Sequence, residues 1–148
     1  PRSDRFEIAL TYINPTEKAI IPSAKIHPQF YTQGAFVPEI WADNGTQWTM
    51  LNPTEGEDAP PAKGEILEPG NYNRWALHIP KKRLTIVNEF DKTEVGAILY
   101  FYSTMPNTIH ANLELLPKPE PLAPGKQYSI HATYYTSRKR PNRIPRTP

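Results

Sequence analysis

The sequence predicts an all-β protein, an antiparallel β-sandwich of Greek-key or jelly-roll kind, and three observations carry that expectation. Apolar and polar residues alternate over several short segments, the period-2 pattern of strands with one buried face. Eighteen prolines are spread over 148 residues, and an interior proline removes a helical hydrogen bond and clashes with the preceding turn. No segment shows a 3.6-residue period, so helix is expected in under roughly a tenth of the chain.

The elements follow in order. "RFEIALTYI" sets Phe6, Ile8, Leu10 and Tyr12 against Glu7, Ala9 and Thr11, a half-buried strand. Asn14-Pro15 turns the chain, and "KAII" is a short strand stopped by Pro22. "AKIHPQFYT" carries Pro28, which cannot donate to a ladder, so it reads as an edge strand or a bulge. In "VPEIWADNGTQWTML" the pair Asn44-Gly45 predicts a two-residue type I′ turn, placing Trp41 opposite Trp48. "NPTEGEDAPPAKG" has no period and reads as an exposed acidic loop. "YNRWALHI" turns Trp75, Leu77 and Ile79 to one side, and "KRLTIV" is a further short strand. "VGAILYFYST" is nearly all apolar, as a central strand would be. "TIHANLELL" and "QYSIHATYYT" alternate again, the latter with Tyr128, Ile130, Ala132 and Tyr134 on its apolar side. About nine strands at short, regular spacing suit a sandwich or barrel.

A chain of this length supports one core, so residues 1–137 are expected to form one domain. Residues 138–148 read as a basic, proline-containing tail or linker that adds little to stability. The tail holds Arg138, Lys139, Arg140, Arg143 and Arg146 and no acid; removing those five charges from the net +2 leaves −3 for the rest. There is no cysteine, which excludes disulfide frameworks, zinc–thiolate sites and cysteine nucleophiles. No apolar run reaches the ~18–20 residues of a membrane-spanning helix. The first residue is Pro1, which suggests a processed chain or an excised domain.

Two stretches share a turn: "LEPGNYNRWALHI" and "LAPGKQYSIHATYY". The second resembles the corner and strand of immunoglobulin-like and fibronectin type III-like sandwiches. The resemblance implies that Leu122 packs under the turn, that Pro124 and Gly125 send the chain between sheets, and that the Tyr128 hydroxyl bonds back to the corner backbone. In the first stretch Tyr72 comes one residue earlier.

Candidate chemistry is sparse. His27, His78, His110 and His131 all fall on the polar phase of their segments. A hairpin centred on residues 120 and 121 would set His110 opposite His131 for a metal, but a third ligand is missing. Two solvated histidines are the favoured reading, and no metal or cofactor is expected. Trp41 and Trp48 offer either a stacking platform for a sugar or a partner protein, or part of the core; the second reading is favoured. Arg138, Lys139 and Arg140 offer a basic arm for an acidic surface or nucleic acid, against the plainer reading of a solvated terminus. Lys81, Lys82 and Arg83 read as a charged turn, and "NEFDKTE" lacks the spacing of a calcium loop. No G-x-S-x-G, H-E-x-x-H or phosphate-cradling glycine loop occurs.

The expectation is therefore a protein that is not an enzyme: a β-sandwich structural module working by protein binding, in an exported or surface assembly or as an inhibitor-like binder. A protein partner is expected, with nucleic acid reached only through the tail. The alternatives are a coat or shell subunit with a basic arm, or a small carbohydrate- or metal-binding domain.

Overall fold

The computed structural model describes residues 5–31, 38–51, 62–67, 71–103 and 110–145. Of these described residues, strand accounts for about 57% and helix for about 6%. The strands are β1 (Arg5–Ile13), β2 (Gln29–Tyr31), β3 (Glu39–Asp43), β4 (Trp48–Met50), β5 (Ala62–Leu67), β6 (Arg74–Ile79), β7 (Leu84–Phe90), β8 (Ala97–Ser103), β9 (His110–Leu116) and β10 (Gln127–Ser137). They form two antiparallel sheets, one in the order β1-β10-β7-β6-β3-β4 and one in the order β2-β9-β8-β5. The chain is thus an all-β antiparallel sandwich. Among the described residues no helix is long and apolar enough to cross a membrane.

The core lies where the alternation puts it. Ile40, Trp75, Leu77, Ile130 and Tyr134 of the larger sheet meet Ile98, Tyr100, Leu113 and Leu115 of the smaller one. The Trp75 indole is fully buried and donates to Asn88 Oδ1, which satisfies the one polar group that a core tryptophan brings with it. Edge strand β2 follows Pro28, as the proline predicts.

Three expectations about the strands differ from the structure, and one conditional pairing is not met. The acidic stretch reads as loop through residue 64, yet Ala62–Leu67 is a strand paired with β8. Its Lys-Gly-Glu sequence has little strand preference; the ladder to β8 supplies what local preference does not. "KAII" contributes only an isolated bridge, Ile20 to Leu122. The Asn44-Gly45 hairpin closes two residues later than a type I′ turn would, with Asp43 opposite Trp48 and Trp41 opposite Met50. Here the Asn44 side-chain oxygen accepts from the backbone N–H of Thr46 and of Gln47, both at 2.9 Å. Only Gly45 takes a positive φ, 88°, where a type I′ turn needs two. Finally, β9 and β10 lie in different sheets, so His110 and His131 do not face each other.

The Pro-Gly corner makes that crossing. Asn14, fully buried, ties it to the first turn: its side-chain nitrogen donates to the Leu122 and Lys18 carbonyls at 2.7 and 2.8 Å. The Gly125 N–H donates to the Asn14 carbonyl at 2.9 Å. Gly125 has φ 67°, a geometry that side chains resist. The Tyr128 hydroxyl accepts from the Lys118 N–H at 3.1 Å, and its ring stacks on Tyr12 at 4.7 Å. In the other Pro-Gly stretch, residues 68–70 lie outside the described residues, as does the 52–61 segment.

Gly96, just before β8, sits against the chain entering this corner. A Cβ there would lie 2.2 Å from the Pro117 carbonyl oxygen and 2.6 Å from Lys118 Cα. Both are backbone atoms, so no rotamer change relieves the clash. Gly96→Ala is expected to cost about 1–3 kcal/mol, read as a lowered thermal midpoint with an unchanged far-ultraviolet spectrum. An unchanged midpoint would show that the corner yields freely.

Candidate functional site

The outer face of the larger sheet, turned away from the core, carries half of the buried polar and charged side chains among the described residues. Strand register sorts it into three rows. In the first, Asp43, Arg74 and Glu89 stand opposite one another on β3, β6 and β7. In the second, Trp41, Ala76, Val87 and Tyr135 do the same on β3, β6, β7 and β10. The third is Glu39, His78, Thr85 and Ser137. The rows follow from period-2 alternation: once Ile40, Ala42, Trp75 and Leu77 point inward, their neighbours point outward.

The first row is a charge ladder. Arg74 donates to Asp43 through Nε at 3.0 Å and through Nη2, and its Nη1 lies 3.5 Å from Glu89. Its guanidinium also lies 5.1 Å over the Trp48 ring. Glu89 accepts from Tyr135 Oη at 3.0 Å and from Arg5 at 3.3 Å. Burial disfavours a charged Arg74, but the hydrogen bond and charge of Asp43 outweigh it and raise the pKa further. Burial and the Glu89 carboxylate push the Tyr135 phenol up to about 12.

The C-terminal segment lies across the rows. Expected as a solvated tail, residues 138–145 dock instead as a strap. Thr85 Oγ1 donates to the Lys139 carbonyl at 2.6 Å. Arg140 forks onto Glu39, with Nε–Oε2 at 2.9 Å and Nη2–Oε1 at 2.7 Å, and lies 5.1 Å over Trp41. Trp41 Nε1 donates to the same Glu39 oxygen at 2.9 Å. Pro141 is buried at the start of a 3-10 turn, Pro141–Arg143. Ile144 packs into the trough left by the small Ala76 and Val87, and Arg74 reaches the Pro145 carbonyl at 3.4 Å. A proline-rich, charged segment carries no periodicity, so its seat was invisible until Glu39 and Trp41 were placed in space.

Of the site residues expected from sequence, Trp41, Trp48, Lys139 and Arg140 thus come together on one face. Trp41 is 7% exposed, covered by the strap and not by the main core. Arg138 stays exposed and reaches the Lys82 carbonyl at 3.4 Å. Glu39, Asp43, Arg74, His78, Thr85 and Glu89 escaped notice as a group. The usable signal was the shared phase of Glu39, Trp41 and Asp43, matched by Arg74 and His78.

The histidines scatter. His27 lies 3.3 Å from Glu114, and His131 Nδ1 lies 2.9 Å from Glu94. His110 sits 5.3 Å from the Phe101 ring. Among the described residues no three His, Asp or Glu side chains group as a metal site. A cleft of about 420 Å³ opens beside the corner between Glu94, Lys118, Glu120 and Tyr128.

His78 is nine-tenths buried beneath the strap. Its Nδ1 lies 2.7 Å from Thr85 Oγ1. Because Thr85 gives its proton to Lys139, the imidazole Nδ1–H is the donor in that pair. Burial lowers the His78 pKa; Glu39 opposes the shift and Arg140 adds to it.

With both sheets and the strap in view, comparison with known proteins is informative about fold alone. No family profile and no curated sequence matches the chain. Several solved structures share its architecture, three of which illustrate it. Slr1438 from Synechocystis sp. PCC 6803 is 11% identical, with a TM-score of 0.68 over 94% of this chain and 53% of its own. A TPR-domain containing protein from Parabacteroides distasonis is 12% identical, with a TM-score of 0.70 over 96% of this chain and 29% of its own. A putative aldose 1-epimerase from Klebsiella pneumoniae is 13% identical, with a TM-score of 0.65 over 90% of this chain and 43% of its own. The chain therefore spans about half, or less, of the length of these structures.

Two outcomes follow from the strap. Arg140→Ala leaves the Glu39 carboxylate, 6% exposed in its side chain, without its cation, at an expected cost of about 2–3 kcal/mol; urea unfolding of the two proteins measures it. The second concerns pH. A folded-state His78 pKa below its ordinary value means that the native state binds fewer protons than the unfolded one. The associated stability is present above the unfolded value of about 6.5 and is lost as pH falls below it. Thermal midpoints taken between about pH 7.5 and about pH 5 should fall less steeply for His78→Gln than for the parent chain; parallel curves would refute the assignment.

Proposed function

We propose that the chain is a non-catalytic protein-interaction module whose larger sheet reads an arginine- and proline-containing peptide segment. One observation carries this reading: the Glu39–Arg140–Trp41 clamp. A carboxylate forked by a guanidinium, an indole beneath it and a buried proline beside it make a selective seat for an Arg-Pro pair. The chain's own strap fills that seat. The same contacts serve a partner's segment when the strap is displaced. Glu39 and Asp43, the two buried carboxylates on this face, are each engaged by a guanidinium, which commits them to ion pairs. The likeness of the 122–128 corner to immunoglobulin-like sandwiches fits an interaction role but names no partner.

A second reading is sugar-directed chemistry, favoured by the names of structural neighbours: putative aldose 1-epimerases from Klebsiella pneumoniae and from Escherichia coli K12. One pair of measurements separates the two. A synthetic peptide spanning residues 137–145 should bind Arg140→Ala protein, whose seat is vacant of its guanidinium, and should bind Trp41→Ala/Arg140→Ala protein more weakly by about tenfold. Calorimetry reads both. No binding to either would end the peptide reading. Accelerated mutarotation of an aldose by the intact chain, abolished by Glu39→Gln, would establish the enzymatic one.

A further inference from the structure

The strap has a second consequence, at the end of the sheet where it begins. The β6–β7 connection is a 3-10 turn, Pro80–Lys82, followed by Arg83 in the left-handed conformation with φ 47°. That turn projects Lys82 and Arg83 into solvent. Ser137, the last residue of β10, stands opposite Thr85 on β7, so the chain leaves β10 beside this turn. Arg138 then donates to the Lys82 carbonyl, and the Lys139 carbonyl is pinned by Thr85. Two basic runs 55 residues apart in sequence therefore become one surface. Lys82, Arg83, Arg138 and Lys139 are all exposed, and no ion pair holds any of them among the described residues. Residues 79–85 and 137–145 contain no Asp or Glu.

Contrast decides what this means. On the adjoining face three cations are neutralised: Arg5 by Glu89, Arg74 by Asp43 and Glu89, Arg140 by Glu39. Like charges gathered without a counter-charge repel one another, which destabilises the fold unless an anion answers them. We propose that Lys82, Arg83, Arg138 and Lys139 form one composite docking surface for a carboxylate-rich peptide segment of a partner protein. Neither run has an aromatic side chain on which a base could stack. The helical elements that flank the surface are three-residue turns, too short to enter a groove. The large exposed apolar side chains, such as Ile13, Ile21 and Tyr31, lie on other elements, so the surface has no wedge for a lipid bilayer. What remains is charge complementarity at a convex turn, which suits an extended acidic peptide. This names a partner class for the interaction reading and rests on it.

The test uses the full chain and a labelled oligoglutamate peptide, with a short DNA duplex and phosphatidylserine-containing vesicles as parallel arms. Peptide binding should weaken with added salt. It should fall by about tenfold in Lys82→Gln/Arg83→Gln and equally in Arg138→Gln/Lys139→Gln, with thermal midpoints not lowered, since each variant relieves charge repulsion. Amide shift perturbations on the unmodified chain, which need no variant to fold, should appear at residues 80–83 and 137–140 together. Loss in only one double variant, or shifts in only one run, would show that the surface is not composite and overturn the proposal. Tighter binding of the duplex or of the vesicles than of the peptide would overturn the partner class. None of these outcomes touches the Glu39 seat, so failure here leaves the peptide-seat reading standing, and aldose mutarotation would remove that reading without moving these shifts.

Discussion

Glu39 and Asp43 stand four residues apart on β3, 5% and 0% exposed, on the face of the sheet turned away from the core. A carboxylate withdrawn from water without a partner costs several kcal/mol, so each must be met by a cation with fixed geometry. Arg74, directly opposite on β6, answers Asp43. No strand neighbour answers Glu39, since the residue opposite it is His78, whose pKa is lowered and which is therefore neutral at physiological pH. The missing cation comes from Arg140, 101 residues later. To deliver it, the chain must turn back over the sheet after β10. Once it does, Trp41 is roofed, Thr85 gains the Lys139 carbonyl, and Ile144 fills the trough above Ala76 and Val87.

That arrangement makes a second, smaller core on the far side of the larger sheet. The main core obeys ordinary sandwich logic, with two inner faces interdigitating. The outer one is assembled from two indoles, a phenol, two small aliphatics and one isoleucine, framed by ion pairs. Stability and selectivity pull in different directions here. Apolar residues of similar volume would hold a strap as firmly as the Glu39–Arg140 pair. The charged fork, by contrast, accepts arginine and penalises most alternatives, because a buried carboxylate is left unpaired by them. A seat of this kind discriminates among segments, which is why the interaction reading is drawn from it and not from the fold.

The unequal sheets leave their own mark. Six strands cover four, and β1 at the edge of the larger sheet overhangs: Phe6 and Ile8, on its inward phase, are 56% and 36% exposed. Phe6 compensates by stacking on Tyr134 at 5.0 Å. Arg5 and Glu7 alternate with them along the same edge, and charged side chains on an open edge discourage strand addition by another chain.

Much of this was legible in the sequence, for a definite reason. Period-2 alternation is a local property, and it correctly turned Trp75, Leu77, Ile130, Ala132 and Tyr134 inward. Proline and glycine act locally too, so the edge character of the segment around Pro28 and the sheet-crossing corner at Gly125 could be read from a few residues each. The Asn44-Gly45 register was misread because a side-chain oxygen competed with the backbone geometry that the pair usually adopts, and β5 was missed because its strand character comes from β8 and not from its own residues. The strap and the composite basic surface lay beyond any local reading. Alternation says which face a residue occupies, but not which distant segment covers that face. A run of Arg, Lys and Pro looks solvated until a buried carboxylate elsewhere in the chain requires its charge. Sequence by itself determined most of the strands, the main core and the corner, because those depend on neighbours along the chain. The tertiary structure alone decided the site, because a buried charge is satisfied by whatever cation the fold can carry to it.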